Sequence, residues 1–287
     1  MSADSIKGPV AVVGAGTMGR GIIQVFAQSG FDVLAYDASA DAVEAAVGFI
    51  GRMLDRAVQK ERMTRADAQA AVGRITTVAT LDALGEATIC IEAATERVAV
   101  KKDIFAGVDA VLGDDAIRAT NTSSISITEL AAVTRRPERF IGMHFFNPVP
   151  LMKLVEVVMG LATSEATFEA VRALAEAVGK TPLRVNDHPG FVSNRVLMPM
   201  INEAILCVQE QVAAPEAIDG VMRLGMGHPM GPLRLADLIG LDVCLDIMSV
   251  LHRDLGEDKY RPAPLLRKMV AAGRLGEKSK RGFYTYE

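Results

Sequence analysis

Through the first two-thirds of the chain, short apolar runs alternate with longer amphipathic stretches. The runs fall at 9–13, 31–37, 89–93, 117–121, 140–146, 154–159 and 182–185, with helical periodicity between them. Such alternation predicts an α/β fold, a mainly parallel sheet with helices on both faces. VAVVG and ICIEA are near-continuously apolar rather than alternating, as expected of strands covered on both faces. Past Asp187-His188-Pro189-Gly190 the strand signal ends. Residues 191–212, 215–224, 233–255 (interrupted at Gly240) and 264–272 carry Leu, Met and Ile at helical spacing instead. Pro and Gly break both periods, so the boundary is set at His188: an α/β domain over 1–187 and an all-helical domain over 188–287.

The stretch 39–74 is too long for a simple crossover. Ser39 can cap a helix whose apolar face is Val43, Val47, Ile50, Leu54 and Val58, and Thr64 with Asp67 resembles a second helix start. The expectation is a helical hairpin protruding from the first domain. Its first helix carries Arg52, Arg56 and Lys60 every four residues. That stripe is either a solvated face or a handle for phosphates.

The first strand runs into Gly14-Ala15-Gly16-Thr17-Met18-Gly19, which opens a helix. In this strand–turn–helix context the glycines suit a dinucleotide: Gly14 for the tight turn, Gly16 for close backbone approach to a pyrophosphate, and Gly19 for helix–strand packing. Asp37, 18 residues past Gly19 at the end of the second strand, can accept from both ribose hydroxyls and would repel a 2′-phosphate. The motif therefore predicts NAD rather than NADP. A glycine turn that merely packs, with Asp37 capping the next helix, is the competing reading.

Two further groups, His144 and the run from Asn121, fall at the carboxyl ends of predicted strands, where open α/β sheets gather function. His144 ends the run Gly142-Met143-His144. Glu156 lies in the otherwise apolar strand 154–159, and an acid buried there needs a partner. A Glu accepting from one imidazole nitrogen would fix the tautomer and leave the other to act as base; two unrelated polar residues on neighbouring strands remain the alternative. Asn121-Thr122-Ser123-Ser124 brings hydroxyls and an amide to the same rim, although such a run also caps helices. Asn194 starts the first helix of the second domain.

Composition narrows the classes. The chain has 287 residues, 50% of them apolar and 23% charged, with a formal charge of −4; bulk attraction to nucleic acid or to anionic membranes is not expected. No apolar run reaches the ~18 residues of a membrane span. Cys90, Cys207 and Cys244 lie far apart, and no pair of the four histidines has ligand spacing, so neither a disulfide framework nor a metal site is expected. The start, MSADSIKG, lacks leader character, and a cytoplasmic protein is expected.

GAGTMG, IEAATE, NTSSISIT, RFIGMHFFNPVPLMKLVEV, PGFVSNRVLMPMINEA, GHPMGP and GEKSKRGFYTY, in this order over essentially the whole chain, resemble the L-3-hydroxyacyl-CoA dehydrogenase family, in particular its free-standing bacterial 3-hydroxybutyryl-CoA members. The resemblance implies a Rossmann-like domain with a helical hairpin, then a helical domain that forms a homodimer. It implies His144 as general acid/base in hydride transfer between substrate C3 and NAD, Glu156 supporting it, and Ser123 and Asn194 holding the reacting oxygen and substrate. Glu96, Lys101, Ser123 and Asn147 would line the NAD site, and Arg56 and Lys60 (with Arg52 in the same stripe) would meet CoA phosphates. Met53 stands where a relative offers a serine to CoA. A 3-hydroxyadipyl-CoA enzyme would share these motifs. A 6-phosphogluconate-type dehydrogenase would need a lysine where Asn194-Arg195 stands, and a non-catalytic crystallin-like relative would not need to keep His144, Glu156, Ser123 and Asn194 together.

Overall fold

The computed structural model describes residues 8–287; the first seven, which include most of the MSADSIKG start, lie outside them. The chain divides into two compact units, one ending at Asp187 and the other running from His188 to Glu287.

In the first unit β1 (Val10–Val13), β2 (Val33–Tyr36), β3 (Ile75–Thr77), β4 (Ile89–Glu92), β5 (Ile117–Thr120), β6 (Phe140–Phe145), β7 (Leu154–Met159) and β8 (Thr181–Asn186) form one sheet in the order β3-β2-β1-β4-β5-β6-β7-β8. Neighbours are parallel except β6 and β7. The fold is Rossmann-type, and its strand order reverses direction between β1 and β4, where such sheets open a crevice at their carboxyl ends. The α-helices of this unit among the described residues are α1 (Thr17–Gln28), α2 (Ala40–Gln59), α3 (Arg65–Gly73), α4 (Val98–Val111), α5 (Ile127–Ala131) and α6 (Glu165–Ala177). Val10 and Val12 enter the core shared with α1, α2, α3 and α6, while Ala11 and Val13 enter a second core under α4. Burial on both faces is why β1 shows no alternation. Strand β3 carried no sequence signal, because Ile75-Thr76-Thr77 is short and largely exposed at the sheet edge.

The helical hairpin is present but does not stand free. Ser39 Oγ accepts from Ala42 N and Thr64 Oγ1 from Asp67 N, as the capping signals predict. Yet Val43, Ala46, Ile50 and Leu54 of α2 and Ala68 and Ala71 of α3 join Ile22 and Phe26 of α1 in one core. Ala46, not Val47, occupies the contact line: Ala46 is buried and Val47 half-buried.

The second unit holds α7 (Ser193–Gln209), α8 (Pro215–Met226), α9 (Pro232–Ile239), α10 (Leu241–Leu255) and α11 (Pro264–Ala271). Proline opens α8, α9 and α11, where its missing N–H is no loss. Gly240, at φ +104°, makes the break between α9 and α10. The core is Met198, Ile201, Ile205, Leu233, Leu241, Cys244, Met248, Leu251 and Leu266, with Ile247, Tyr260, Met269 and buried alanines beside them. The chain end is pinned on Asp237, whose carboxylate accepts from Phe283 N, Tyr284 N and the Tyr286 hydroxyl. A Cβ at Gly282 would lie 1.9 Å from Asp237 Oδ1, so the tail can seat only with glycine there. Among the described residues no helix is long and apolar enough to cross a membrane.

Candidate active site

The turn after β1 has the geometry of a dinucleotide cradle. Gly14 sits at φ +105°, and a Cβ on it would meet the Ala93 carbonyl oxygen at 2.6 Å; one on Gly19 would meet the Gly14 oxygen at 1.8 Å. A Cβ on Gly16 would meet nothing within 4 Å. Gly16 is also the N-cap of α1, so no side chain caps the first-turn N–H groups at Thr17, Met18 and Gly19. Donors and the positive helix end are thus offered to an anion. Asp37 Oδ2 accepts from Ala15 N at 2.8 Å and Oδ1 from Ser39 N at 3.0 Å. These bonds hold the carboxylate still, and each oxygen keeps acceptor capacity for a ribose hydroxyl. The residues present fit NAD.

His144 and Glu156 face one another in register across the antiparallel β6/β7 pair. His144 Nδ1 lies 2.7 Å from Glu156 Oε2, with both side chains buried. Nδ1–H donating to a carboxylate fixes the tautomer, so proton transfer falls to Nε2. The sheet's one antiparallel pairing is what sets acid against base. Phe146 packs on the imidazole, ring centroids 4.7 Å apart.

The Asn121–Ser124 turn is organised by Glu96, not by a following helix, which starts later with Ser126 as its cap. Glu96 Oε1 accepts from Thr122 Oγ1 at 2.6 Å, Ser123 N at 2.8 Å, Ser123 Oγ at 3.1 Å and Ser124 N at 3.2 Å. Asn121 Oδ1 accepts from Phe145 N at 2.9 Å, tying this turn to the strand that carries His144. Asn147 is exposed just past β6.

Lys101 differs from its expected place on the cofactor wall. Its side chain is wholly enclosed; Nζ donates to both oxygens of Glu92 at 2.7 Å and lies 3.6 Å from Glu96 Oε2. It stands behind Glu96, with no surface of its own. Glu92 and Thr120, partners in this cluster, carried no signal beyond an acid and a hydroxyl in apolar strands. Lys180 was missed as well: its buried ammonium donates to the carbonyls of Val149 and Met152 and braces the loop after Asn147. Burial pushes its pKa below the usual lysine range.

Arg52 and Arg56 are exposed along α2, with Lys60 at its C-cap and Met53 half-buried between. Asn194 is buried near the start of α7 in the second unit, where its N–H donates to the Gly190 carbonyl. Among the described residues, no three His, Cys, Asp or Glu side chains assemble a metal site. His188 is exposed in a loop, and His228 and His252 are half-buried.

Residues 9–188 match the model of the 3-hydroxyacyl-CoA dehydrogenase NAD-binding domain and residues 190–286 that of the 3-hydroxyacyl-CoA dehydrogenase C-terminal domain. The chain belongs to the 3-hydroxyacyl-CoA dehydrogenase family. Within that family it is 58% identical over 278 residues, 97% of each chain, to a probable 3-hydroxybutyryl-CoA dehydrogenase of Bacillus subtilis. The crystal structure of the (S)-3-hydroxybutyryl-CoA dehydrogenase of Ralstonia eutropha superposes with a TM-score of 0.95 at 52% identity, covering 97% of this chain and 99% of that one. A 3-hydroxyadipyl-CoA dehydrogenase of Escherichia coli is 45% identical over 278 residues, 96% of this chain and 58% of its own length.

Proposed function

We propose that the chain is an NAD-dependent (S)-3-hydroxybutyryl-CoA dehydrogenase. The observation that carries this reading is the buried His144–Glu156 pair on the rim that holds the Gly14–Gly19 turn and Ser123. NAD, when bound, supplies the hydride acceptor for oxidation at C3 and, reduced, the donor for the reverse reaction. His144 Nε2 takes the proton of the 3-hydroxyl as the carbonyl forms, and in reverse returns it to the keto oxygen. Glu156 accepts from Nδ1–H throughout, orienting the ring and stabilising the imidazolium. Ser123 hydrogen-bonds the reacting oxygen, and Asn194 adds an amide to substrate binding. Glu96 and Asn147 contact the dinucleotide, with Lys101 acting on it from behind Glu96. Arg56 and Lys60, with Arg52 beside them, take the CoA phosphates.

The 3-hydroxyadipyl-CoA relative favours a second reading, in which the acyl chain ends in a carboxylate. Following NADH oxidation with acetoacetyl-CoA tests the main reading, and kcat/KM for 3-hydroxybutyryl-CoA against 3-hydroxyadipyl-CoA separates the two. No activity on either would sink both.

The assembly we propose is a homodimer through the second unit. Val196, Val221, Leu224 and Met226 are exposed there, Leu224 at 89%, and apolar side chains of this size would be covered in such an interface. A cytoplasmic setting belongs to the same reading, supported by three free thiols.

A further inference from the structure

Glu92 ends the central strand β4, in register with Val13 of β1 on one side and Thr120 of β5 on the other. It therefore stands at the reversal of strand order, between the glycine turn and the serine turn. Its side chain and that of Lys101 are both fully buried. A buried ion pair is weak evidence for stability, since apolar residues of like volume commonly serve as well. This one is unusually complete. Glu92 Oε1 accepts from Ala94 N and Lys101 Nζ, each at 2.7 Å; Oε2 accepts from Thr120 Oγ1 at 2.6 Å and from Lys101 Nζ at 2.7 Å. Its own carbonyl accepts from Asn121 N at 2.6 Å.

The chain of contacts continues outward. Lys101 lies 3.6 Å from Glu96 Oε2, while the other oxygen of Glu96 gathers Thr122, Ser123 and Ser124. Two carboxylates share one ammonium, and the one facing solvent organises the catalytic turn. We infer that Glu92 is a positioning residue for the reaction: it anchors Lys101, which sets Glu96 and through it Ser123. This inference rests on the function proposed above. Without the Glu92 charge, Glu96 is the one carboxylate left within 4 Å of Lys101 among the described residues, and Lys101 draws it off the serine turn.

The test uses Glu92→Gln, Lys101→Met and the double variant, read by kcat and KM on acetoacetyl-CoA, NADH affinity from fluorescence titration, and Tm. In Glu92→Gln, kcat falls about ten- to a hundredfold, the NADH dissociation constant rises roughly tenfold, and Tm drops. In the double variant no fully buried charge is left unpaired, so Tm returns toward wild type while kcat and NADH affinity stay low, because Glu96 has lost its hold. Adding Glu96→Gln to the double variant then changes little. A double variant that recovers kcat and NADH affinity together with Tm overturns the inference, as does a full additive loss on adding Glu96→Gln. Should the charge variants not fold, Thr120→Val decides: a several-fold lower kcat at wild-type Tm supports the role, and wild-type kcat overturns it. A wild-type protein inert toward acetoacetyl-CoA sinks the substrate reading alone, since the NADH titration still reads the positioning of Glu96.

Discussion

Helix α4 buries a charge at each end of its inner face, and the two ends keep different company. At the carboxyl rim of the sheet, Lys101 meets Glu92 and Glu96, and every acceptor of Glu92 is used. At the amino end, Asp109 meets Arg118, the largest fully buried side chain among the described residues. Arg118 Nη2 approaches Asp109 Oδ1 to 3.0 Å, yet these two atoms and Arg118 Nε make no hydrogen bond. Arg118 Nη1 donates to the carbonyls of Gly113 and Ala116, and Arg135 donates to Asp109 Oδ2 through its backbone N–H and Nε. These contacts all lead to loops on the side of the sheet away from the glycine turn. Burial by itself raises the Asp109 pKa, but the hydrogen bonds from Arg135 and the charges of Arg118 and Arg135 outweigh it and hold the carboxyl below its ordinary value. The same helix therefore serves position at one end and cohesion at the other.

The comparison can be broken first at the rim. His144→Ala should lower kcat/KM by about 10²–10⁴-fold per folded molecule, the share commonly owed to a positioned acid/base, and should lower Tm, because buried Glu156 loses its imidazole partner. Glu156→Gln should be impaired mainly in kcat. Wild-type turnover in either would remove the pair from the mechanism.

At the opposite end the pattern inverts. Arg118→Met leaves Asp109 buried with Arg135 alone, and breaking a buried pair on one side costs about 3–5 kcal/mol. Denaturant unfolding should show that loss, while kcat per folded molecule stays within about twofold, since nothing at the amino end reaches the catalytic rim. A large kcat defect in folded Arg118→Met would mean that the two ends are coupled through α4.

The exposed stripe is a smaller effect. Arg56→Gln with Lys60→Gln should raise KM for acetoacetyl-CoA about ten- to a hundredfold if both hold phosphates, roughly 0.7–1.4 kcal/mol for each charge-assisted contact once solvent screening at these exposed side chains is counted. NADH affinity should not move. Acetoacetyl-pantetheine, which lacks the nucleotide phosphates, should be used equally by both proteins; an unchanged ratio of kcat/KM for the two substrates marks the stripe as a solvated face.

The smallest effect is one of pH. The depressed Asp109 pKa gives stability that is fully present above the unfolded value, near 3.8, and is lost as pH falls through the lower folded value. The Tm gap between wild type and Asp109→Asn should be constant from about pH 5 to 7 and narrow below about 4. A gap independent of pH would show that Asp109 owes nothing to its charge.

The elements legible in the sequence are those with a local cause. Continuous apolar runs marked β1 and β4, Ser39 and Thr64 marked two helix starts, and Gly14, Gly16 and Gly19 followed by Asp37 marked the cofactor turn, because backbone conformation and capping are decided within a few residues. His144 and Glu156 were visible as polar residues in apolar strands. Their pairing depends on β7 running antiparallel to β6 and on register, so the residues offered it only beside the reading of two unrelated polar groups, and the resemblance implied it. The fate of charges on α4 was decided still further from the chain's local order. Lys101, Lys102 and Asp103 read alike in sequence, but one is enclosed with Glu92, the next pairs with Glu129, and the third is exposed. What separates them is a hundred degrees of helix rotation per residue against a sheet whose facing residues, Glu92 and Thr120, arrive from two other strands. Local physics thus determined the elements and the cofactor turn, while which charges are buried, and against whom, was decided only when the strands took their order in the sheet.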